Sequence, residues 1–325
     1  MATLGPTLVL FGLFAGLVAF ALCLWSLRIA RGAERLVPRA GRMIDVPGGA
    51  LHVVEAGAKD KPPVVLIHGL SGQLQHYTYA MTDLLTGDHH VIALDRPGCG
   101  YSTRETDDLA ALAEQARMIW SALDTLGVER PVLCGHSLGG AVVLAMALER
   151  PDDVAGLALL TPLTHPVRKP HPAFAGLAVR SRLFRRLLAY TVAVPLAQRQ
   201  ARATLDVVFA PEPWPNDFVV RAGGALGLRP KGYVAASGDF MASGDDMVGL
   251  AARYGEITAP GAVLLAEDDA LLSPGEQGGP MAAHGFSVET LKGRGHMLPI
   301  TAPEACVACI RSVAAKAESA QGARA

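Results

Sequence analysis

The chain opens with an apolar run that the rest of the sequence does not repeat. Residues 1–27 carry no charged side chain, and the stretch from Thr7 to Leu27 would extend about 31 Å as a helix, which matches the hydrocarbon core of a bilayer. A cleaved signal peptide has its positive charge before a shorter apolar core, whereas here the charge follows it. We therefore predict a transmembrane anchor over residues 1–27.

A basic segment follows the anchor and indicates its orientation. Residues 28–43, predicted as a linker, contain one acidic residue, Glu34, and five basic residues: Arg28, Arg31, Arg35, Arg39 and Arg42. Because positively charged segments tend to stay in the cytoplasm, the pattern predicts a single-pass membrane protein with its folded part on the cytoplasmic side.

Short apolar strands then alternate with segments of helical periodicity. A hairpin is predicted around Pro47, buried strands are predicted at 63–68, 90–95, 131–136, 154–160 and 261–267, and a further strand is predicted at 286–291. Helices are predicted at 75–85, 107–126, 138–148 and 274–283, and from residue 303 onward. Strands that are apolar throughout and separated by helices predict an α/β fold, with a mostly parallel sheet covered by helices on both faces.

The alternation is interrupted once. About 100 residues separate the strand at 154–160 from the next buried strand, far more than an ordinary crossover needs. We predict a core made of residues 44–160 and 259–317, a helical cap inserted at 161–258, and a flexible tail at 318–325.

Composition and charge exclude several classes of protein. The 29 basic and 30 acidic residues give a net charge of −1, so no global field favours nucleic acid, and no nucleic-acid partner is predicted. The five cysteines lack the spacing of a disulfide scaffold or a zinc site. Cys306 and Cys309 form a CxxC, but they lie in a predicted helix, where packing is favoured over a redox pair. No metal or cofactor is predicted.

The stretch Gly135-His136-Ser137-Leu138-Gly139-Gly140 carries the strongest chemical signal. It follows a predicted strand and precedes a predicted helix, which is the setting of a G-x-S-x-G nucleophile elbow. The tight turn requires small neighbours around the serine, and the helix directs its N–H groups toward charge that develops there. Ser137 is therefore the candidate nucleophile.

Ser137 needs a base and an acid, and the topology suggests both. His296 follows the last predicted strand, so it should lie at the same carboxyl edge of the sheet as Ser137. Asp269 ends the preceding strand, and the order Ser137, Asp269, His296 is that of α/β-hydrolases. Backbone N–H groups of Leu70 and Leu138 are predicted to form an oxyanion hole. His68 is interpreted as structural rather than as a base.

Five segments together resemble the α/β-hydrolase fold superfamily: HGLSG at 68–72, DRPGCGYS at 95–102, GHSLGG at 135–140, AEDDALLSP at 266–274 and GRGHM at 293–297. The resemblance covers about residues 44–315 and implies the same roles for Ser137, His296 and Asp269. The spacing to Pro274 differs from the usual pattern, which leaves Asp268 as the alternative acid. Within the DRPG motif, the resemblance favours a structural turn over a second acid–base pair at Asp95 and Arg96.

The resemblance also bears on substrate. Serine at the nucleophile position disfavours haloalkane dehalogenases and epoxide hydrolases, whose nucleophile is aspartate. An anchor combined with a cap is similar to membrane-bound monoacylglycerol lipases and esterases. We therefore expect a membrane-anchored serine hydrolase that cleaves lipid-like or apolar acyl esters. The alternatives are amide or C–C bond hydrolysis, cofactor-free perhydrolysis, and a catalytically silent binding or scaffold protein. The sequence does not predict an oligomeric state.

The cap is basic at its beginning. Residues 162–205 contain no acid and eight basic residues, interleaved with apolar ones: Arg168, Lys169, Arg180, Arg182, Arg185, Arg186, Arg199 and Arg202. A basic amphipathic helix with this pattern suits contact with anionic membrane lipid. The pattern equally suits a helix with one solvated face and an apolar side packed on the core. The anchor favours the first interpretation.

Overall fold

The computed structural model describes residues 4–322, and the side chains of all of these except residues 4–6 and 321. The first residues of the predicted anchor and the last of the predicted tail lie outside the described residues.

An eight-stranded sheet forms the centre of the molecule, in the order β1-β2-β4-β3-β5-β6-β7-β8. Strand β2 is antiparallel to β1 and β4, and every other neighbouring pair is parallel, which confirms the mostly parallel sheet. The predicted hairpin forms β1 and β2. The strands are β1 (Arg42–Val46), β2 (Gly49–Ala56), β3 (Pro63–Ile67), β4 (His90–Leu94), β5 (Val132–His136), β6 (Gly156–Leu160), β7 (Gly261–Ala266) and β8 (Ser287–Leu291).

Helices surround this sheet and fill the long insertion. The α-helices are α1 (Leu4–Leu36), α2 (Gln75–Thr78), α3 (Met81–Leu85), α4 (Leu112–Leu126), α5 (Leu138–Glu149), α6 (Arg182–Leu188), α7 (Val194–Phe209), α8 (Phe218–Arg221), α9 (Pro230–Ala251), α10 (Pro274–Gln277), α11 (Gly279–Ala282), α12 (Leu298–Thr301) and α13 (Pro303–Gly322). Short 3-10 turns occupy Asp107–Ala110, Pro151–Asp153, Pro172–Leu177, Gly224–Leu228 and Tyr254–Glu256, and a π-helical turn joins α6 to α7 at Ala189–Ala193.

Both faces of the central strands β3 to β7 are buried beneath helices, whereas the edge strand β8 is largely exposed. On one face Val65 and Ile67 of β3 join a core with α4 and α5, and on the other Val64 and Leu66 join a core with α3 and α13. Alternate residues of a strand point to opposite faces, so an uninterrupted apolar strand is what two such cores require. The carboxyl ends of β3, β5, β6 and β7 therefore meet at one edge.

Helix α1 is longer than the predicted anchor. It continues to Leu36, so the prediction of a linker over 28–43 is wrong for residues 28–36. The reason is packing: Ala33 and Val37 are buried in a cluster with Ala225 and Leu226 of the insertion. Arginines on the other sides of this stretch obscure that buried stripe in the sequence.

The insertion between β6 and β7 contains α6 to α9, and its described residues contain no strand. It meets α1 directly, since the Ser26 hydroxyl donates to the Thr191 carbonyl over 3.2 Å. At the other end of the chain, helix α13 runs to Gly322, so the predicted flexible tail is helical at 318–322. Its alanine-rich sequence has a high helix propensity, and Val313 anchors it on the sheet.

Candidate active site

Ser137 lies on a strained turn between β5 and α5. Its φ of 54° and ψ of −123° lie in a region that residues with a side chain rarely adopt. A β-carbon on Gly139 would lie 2.0 Å from the Ile67 carbonyl oxygen, and one on Gly135 would lie 2.3 Å from the Gly139 carbonyl oxygen. The two glycines thus allow the turn to approach β3, as the sequence motif predicts.

His296 and Asp269, 27 residues apart in the sequence, are joined by a hydrogen bond. The distance from His296 Nδ1 to Asp269 Oδ2 is 2.7 Å, and both side chains are buried. The other carboxylate oxygen of Asp269 accepts the N–H groups of Leu271 and Leu272 at 2.9 and 3.0 Å. Asp268 is exposed, so this geometry favours Asp269 of the two candidate acids.

The loop that carries His296 is tied to the turn that carries Ser137. His136, next to the serine, donates from Nε2 to the His296 carbonyl over 2.9 Å, and Thr161 Oγ1 donates to the same oxygen over 2.9 Å. The two imidazole rings lie 4.9 Å apart between centroids. Burial, reinforced by the neighbouring His296, holds the pKa of His136 well below its ordinary value. His136 is therefore a neutral donor, with its proton on Nε2.

The loop after β3 passes directly beside the serine. A β-carbon on Gly69 would lie 2.8 Å from the Ser137 β-carbon. Leu70 therefore directly follows a residue that contacts the turn carrying Ser137. Leu138 is the first residue of α5, and N–H groups in the first turn of a helix have no partner within it. Both predicted oxyanion donors thus lie within or beside the turn that carries Ser137.

His68 has a structural role in this loop. Its Nε2 accepts the backbone N–H of Arg96 over 2.9 Å, and its Nδ1 donates to the Gly69 carbonyl over 2.9 Å. Burial and then the charge of Arg96 hold the pKa of His68 well below its ordinary value. Both ring nitrogens are occupied, so His68 is poorly suited to act as a base.

Arg96 contributes more than the sequence indicates. It is fully buried, and its guanidinium contacts both the loop after β3, at the His68 and Gly69 carbonyls, and Asp239 of helix α9 in the insertion. Its neighbour Asp95 accepts the Leu74 and Tyr101 N–H groups and a hydrogen bond from His52, as expected of a structural turn. Nothing in the DRPG motif pointed to a partner 143 residues away.

Glu212 is a second acidic residue of the insertion that sequence reasoning missed. Its carboxylate accepts the Gly295 N–H over 3.1 Å and the Thr301 hydroxyl over 2.9 Å, and it also pairs with Arg294. These partners flank His296. Only the approach of the insertion to the loop after β8 could have revealed this contact.

The CxxC lies on helix α13, against the core on one face of the sheet. Cys306 is buried in the core beneath α13, and burial raises the pKa of its thiol, as it raises that of Cys309 to about 12. Protonated, buried thiols are poor nucleophiles. Among the described residues, no three His, Cys, Asp or Glu side chains are grouped so that they could hold a metal ion.

Comparison with known families agrees with this architecture. A family model described as the alpha/beta hydrolase fold matches residues 62–283. The chain belongs to the alpha/beta hydrolase fold family. This membership confirms the resemblance seen in the sequence motifs, and with the relatives it indicates a hydrolase.

This family member is similar to two curated proteins in sequence and to a solved structure in fold. The protein called "Putative carbamate hydrolase RutD" of Variovorax paradoxus (strain S110) is 32% identical over 231 residues, which cover 68% of this chain and 79% of that protein. Epoxide hydrolase A of Mycobacterium tuberculosis (strain ATCC 25618 / H37Rv) is 35% identical over 124 residues, only 37% of this chain and 38% of that one. The crystal structure of a membrane phospholipase A matches with a TM-score of 0.66 and 22% identity, over 96% of this chain and 97% of that one.

Proposed function

We propose that this protein is a membrane-anchored serine hydrolase that cleaves carboxylic esters of apolar acyl groups through an acyl-enzyme. One observation carries the proposal: a buried His296–Asp269 pair is tied to the strained turn that presents Ser137. A serine hydroxyl becomes a useful nucleophile only beside an oriented base, and His296, held by Asp269 and joined to the serine turn through His136, is the residue we propose for that role.

In the acylation step, His296 Nε2 takes the proton from the Ser137 hydroxyl while Oγ attacks the ester carbonyl. The carbonyl C–O π bond opens to an oxyanion, which the N–H groups of Leu70 and Leu138 stabilise. His296 then gives the proton to the departing alkoxide as the ester C–O bond breaks. Asp269 stabilises the imidazolium and keeps the Nδ1 proton in place.

Water completes the cycle through the same groups. His296 takes a proton from the water, whose oxygen attacks the acyl carbonyl. The second tetrahedral intermediate collapses, the proton passes to Ser137 Oγ, and the carboxylic acid leaves. To act as the general base, His296 must be unprotonated at the start of each half-reaction.

A second candidate activity is hydrolysis of a carbamate or amide bond. It is favoured by the similarity to RutD, whose name describes a carbamate hydrolase. The same side chains would act. Where a C–N bond breaks, the leaving amine takes a proton from His296 as it departs, and where the C–O bond of a carbamate breaks, the leaving group is an alcohol or phenol. Ser137 in place of an aspartate nucleophile argues against an epoxide hydrolase.

The test begins with labelling by a fluorophosphonate probe, in which Ser137 Oγ forms a bond to phosphorus and fluoride leaves. We expect labelling of the wild type, and loss of labelling and of ester hydrolysis in Ser137→Ala, by about a millionfold in kcat if the triad acts as a unit. Ser121→Ala, on helix α4, is the matched control. Substrates are p-nitrophenyl esters from acetate to palmitate, a monoacylglycerol and an aryl carbamate.

Each result separates the candidate activities. Preference for long acyl esters supports the proposal, and preference for the carbamate supports the second candidate. If the folded wild type neither labels nor hydrolyses any of these substrates, a silent binding or scaffold protein replaces both. If Ser137→Ala retains activity, Ser137 is not the nucleophile.

Helix α1 supports the membrane part of the proposal. Every side chain of residues 7–18 is exposed, with Phe11 at 70%, which is unfavourable in water and favourable in lipid. The length and composition of Thr7–Leu36 suffice to cross a bilayer, although a signal sequence meets the same test. The match to the membrane phospholipase A is long enough to include part of α1. The basic residues after the apolar run favour a cytoplasmic catalytic part.

The inserted segment offers a second lipid contact, apolar rather than basic. Four of its arginines are paired with acids elsewhere in the fold: Arg185 and Arg186 with Asp107, Arg182 with Asp108, and Arg180 with Asp245. Apolar side chains around the π-helical turn are instead exposed: Leu183, Phe184, Leu187, Tyr190, Val192 and Leu196. This turn packs against α1 at Ser26, where a helix that begins its span at residue 7 leaves the bilayer.

Two experiments test the membrane proposal. The intact N-terminus should be found by mass spectrometry in the membrane fraction; a mature chain that begins after the apolar run would indicate a signal peptide. We expect Leu183→Ser with Leu187→Ser to lower activity on vesicle-borne esters while activity on soluble esters stays unchanged. Val248→Ser, an exposed apolar residue of α9, is the matched control. Equal effects on both substrate forms would contradict a lipid contact.

A further inference from the structure

A buried cluster of charged side chains contacts the loop after β3, which carries Leu70. Arg96 and Asp239 are 0% exposed, and their N–O distance is 2.7 Å. Arg104 reaches the other carboxylate oxygen of Asp239 over 2.6 Å. Burying three charges is unfavourable unless their hydrogen bonds are well made, so a cluster of this kind holds its members in one geometry.

The guanidinium of Arg96 divides its donors among helix α9 of the insertion, helix α4 and the loop after β3. Nη1 donates to Asp239 and to Gln115, both over 2.7 Å. Nε donates to the His68 carbonyl over 2.9 Å, and Nη2 donates to the Gly69 carbonyl over 3.1 Å. A lysine at this position would keep the charge but not this planar fork.

The bond to Gly69 determines where the next N–H points. In a trans peptide the C=O of one residue and the N–H of the next point in opposite directions, and the bond between Gly69 and Leu70 is trans. The Gly69 carbonyl accepts hydrogen bonds from Arg96, His68 and Gly72. Three hydrogen bonds therefore fix the direction of this carbonyl, and the direction of the Leu70 N–H is fixed with it.

The same bond changes the strength of the Leu70 donor. A cation that hydrogen bonds to a peptide carbonyl polarises the peptide group, which makes its N–H a stronger donor. The charge of Arg96 thus acts through the peptide upon any negative charge at Leu70. Preorganised donors of this kind contribute most when charge develops in the transition state.

We infer that Arg96 is a positioning residue for the oxyanion hole: it orients and polarises the Gly69–Leu70 peptide, and Asp239 of the inserted segment holds Arg96 in place. The inference rests on the proposed function, because it assigns the Leu70 N–H to the oxyanion of ester hydrolysis. It makes the inserted helix α9 part of the catalytic geometry in addition to any contact with substrate.

The experiment compares Arg96→Lys and Asp239→Asn with the matched control Asp245→Asn, which alters an exposed ion pair on the same helix. For Arg96→Lys we expect kcat for a p-nitrophenyl ester to fall about 10- to 100-fold, in line with small misplacements of catalytic groups, while KM changes less than about twofold. Asp239→Asn should fall in the same direction, and Asp245→Asn should match the wild type.

A second readout distinguishes positioning from a merely structural role. A trifluoromethyl ketone forms a tetrahedral adduct whose oxyanion occupies the proposed hole, so its affinity should fall by the same factor as kcat/KM. A planar ketone of the same shape that forms no adduct should bind equally to all variants. Thermal unfolding shows whether each variant is folded at the assay temperature. If Arg96→Lys is unfolded, the same comparison is made with Asp239→Asn.

The outcomes are distinct from those for the proposed function. If the wild type labels and hydrolyses while the folded variants keep full kcat and inhibitor affinity, the positioning role is overturned and the proposed function stands. A loss confined to KM, or equal losses for both ketones, also overturns it. A wild type that neither labels nor hydrolyses overturns the proposed function, and this inference with it.

Discussion

The substitution Asp269→Asn offers the sharpest test of the site, because the structure dictates how the new amide must lie. Oδ1 of Asp269 accepts two backbone N–H groups, from Leu271 and Leu272, and only an oxygen can replace it there. The NH2 group of the asparagine must then face His296 Nδ1, where the carboxylate oxygen lay at 2.7 Å. Nδ1 becomes an acceptor, and the single proton of the neutral ring moves to Nε2.

A ring protonated on Nε2 cannot accept the proton of Ser137. We therefore expect kcat/KM for an activated ester to fall about 10⁴-fold, the order known for the wrong tautomer in a serine triad. That factor corresponds to about 5 kcal/mol of transition-state stabilisation. The fold should survive, because the bonds to Leu271 and Leu272 remain and the volume is unchanged.

Asp268→Asn is the control that makes the result decisive. Asp268 is exposed and adjacent in sequence, so its substitution should leave kcat/KM within about twofold of the wild type. The assay is p-nitrophenyl butyrate hydrolysis, with fluorophosphonate labelling as a count of competent serines. Normal activity in Asp269→Asn, together with a large loss in Asp268→Asn, would refute the assignment of the acid.

Two further predictions concern the turn and the buried histidines. Gly139→Ala should lower labelling by about 100-fold, because its β-carbon would lie 2.0 Å from the Ile67 carbonyl and must displace the loop after β3 by about 1 Å; Gly249→Ala, in open space on α9, should label normally. Burial lowers the pKa of His76 to about 4, so only the unfolded chain gains this proton between about pH 6.5 and 4. The free energy of unfolding, measured in urea, should thus fall on acidification through this range, by up to about 3 kcal/mol from His76, and more gently in His76→Gln; a flat profile would contradict this.

The sheet and the serine turn were predictable because their signals are local. Apolar runs such as those of β3 and β5 are stable in a folded protein when both faces of the strand are buried. The small residues around Ser137 follow from the tight turn. Chain order then placed Asp269 and His296 at the same edge. The choice between Asp268 and Asp269 required the loop geometry, because it depends on which carboxylate accepts the N–H groups of Leu271 and Leu272.

The contacts of the insertion could not be predicted, because they join distant segments through polar side chains. The run from residue 162 to 205 contains no acid, yet four of its seven arginines pair with Asp107, Asp108 and Asp245 from outside the run. A count of charges along the chain therefore overstated how basic this surface is. The end of α1 was missed for a related reason, since its buried stripe is formed only against residues near 225.

Two of these distant contacts join the insertion to loops of the core that carry proposed site residues. Asp239 reaches the loop that carries Leu70 through Arg96, and Glu212 reaches the loop that carries His296 through Gly295. Glu212 bonds its loop directly and Asp239 acts through Arg96, so carboxylates of the insertion support two loops of the core that carry proposed site residues. Because a buried arginine left without its carboxylate is strongly destabilising, an insertion of different sequence could replace this one only by supplying an acidic group to Arg96.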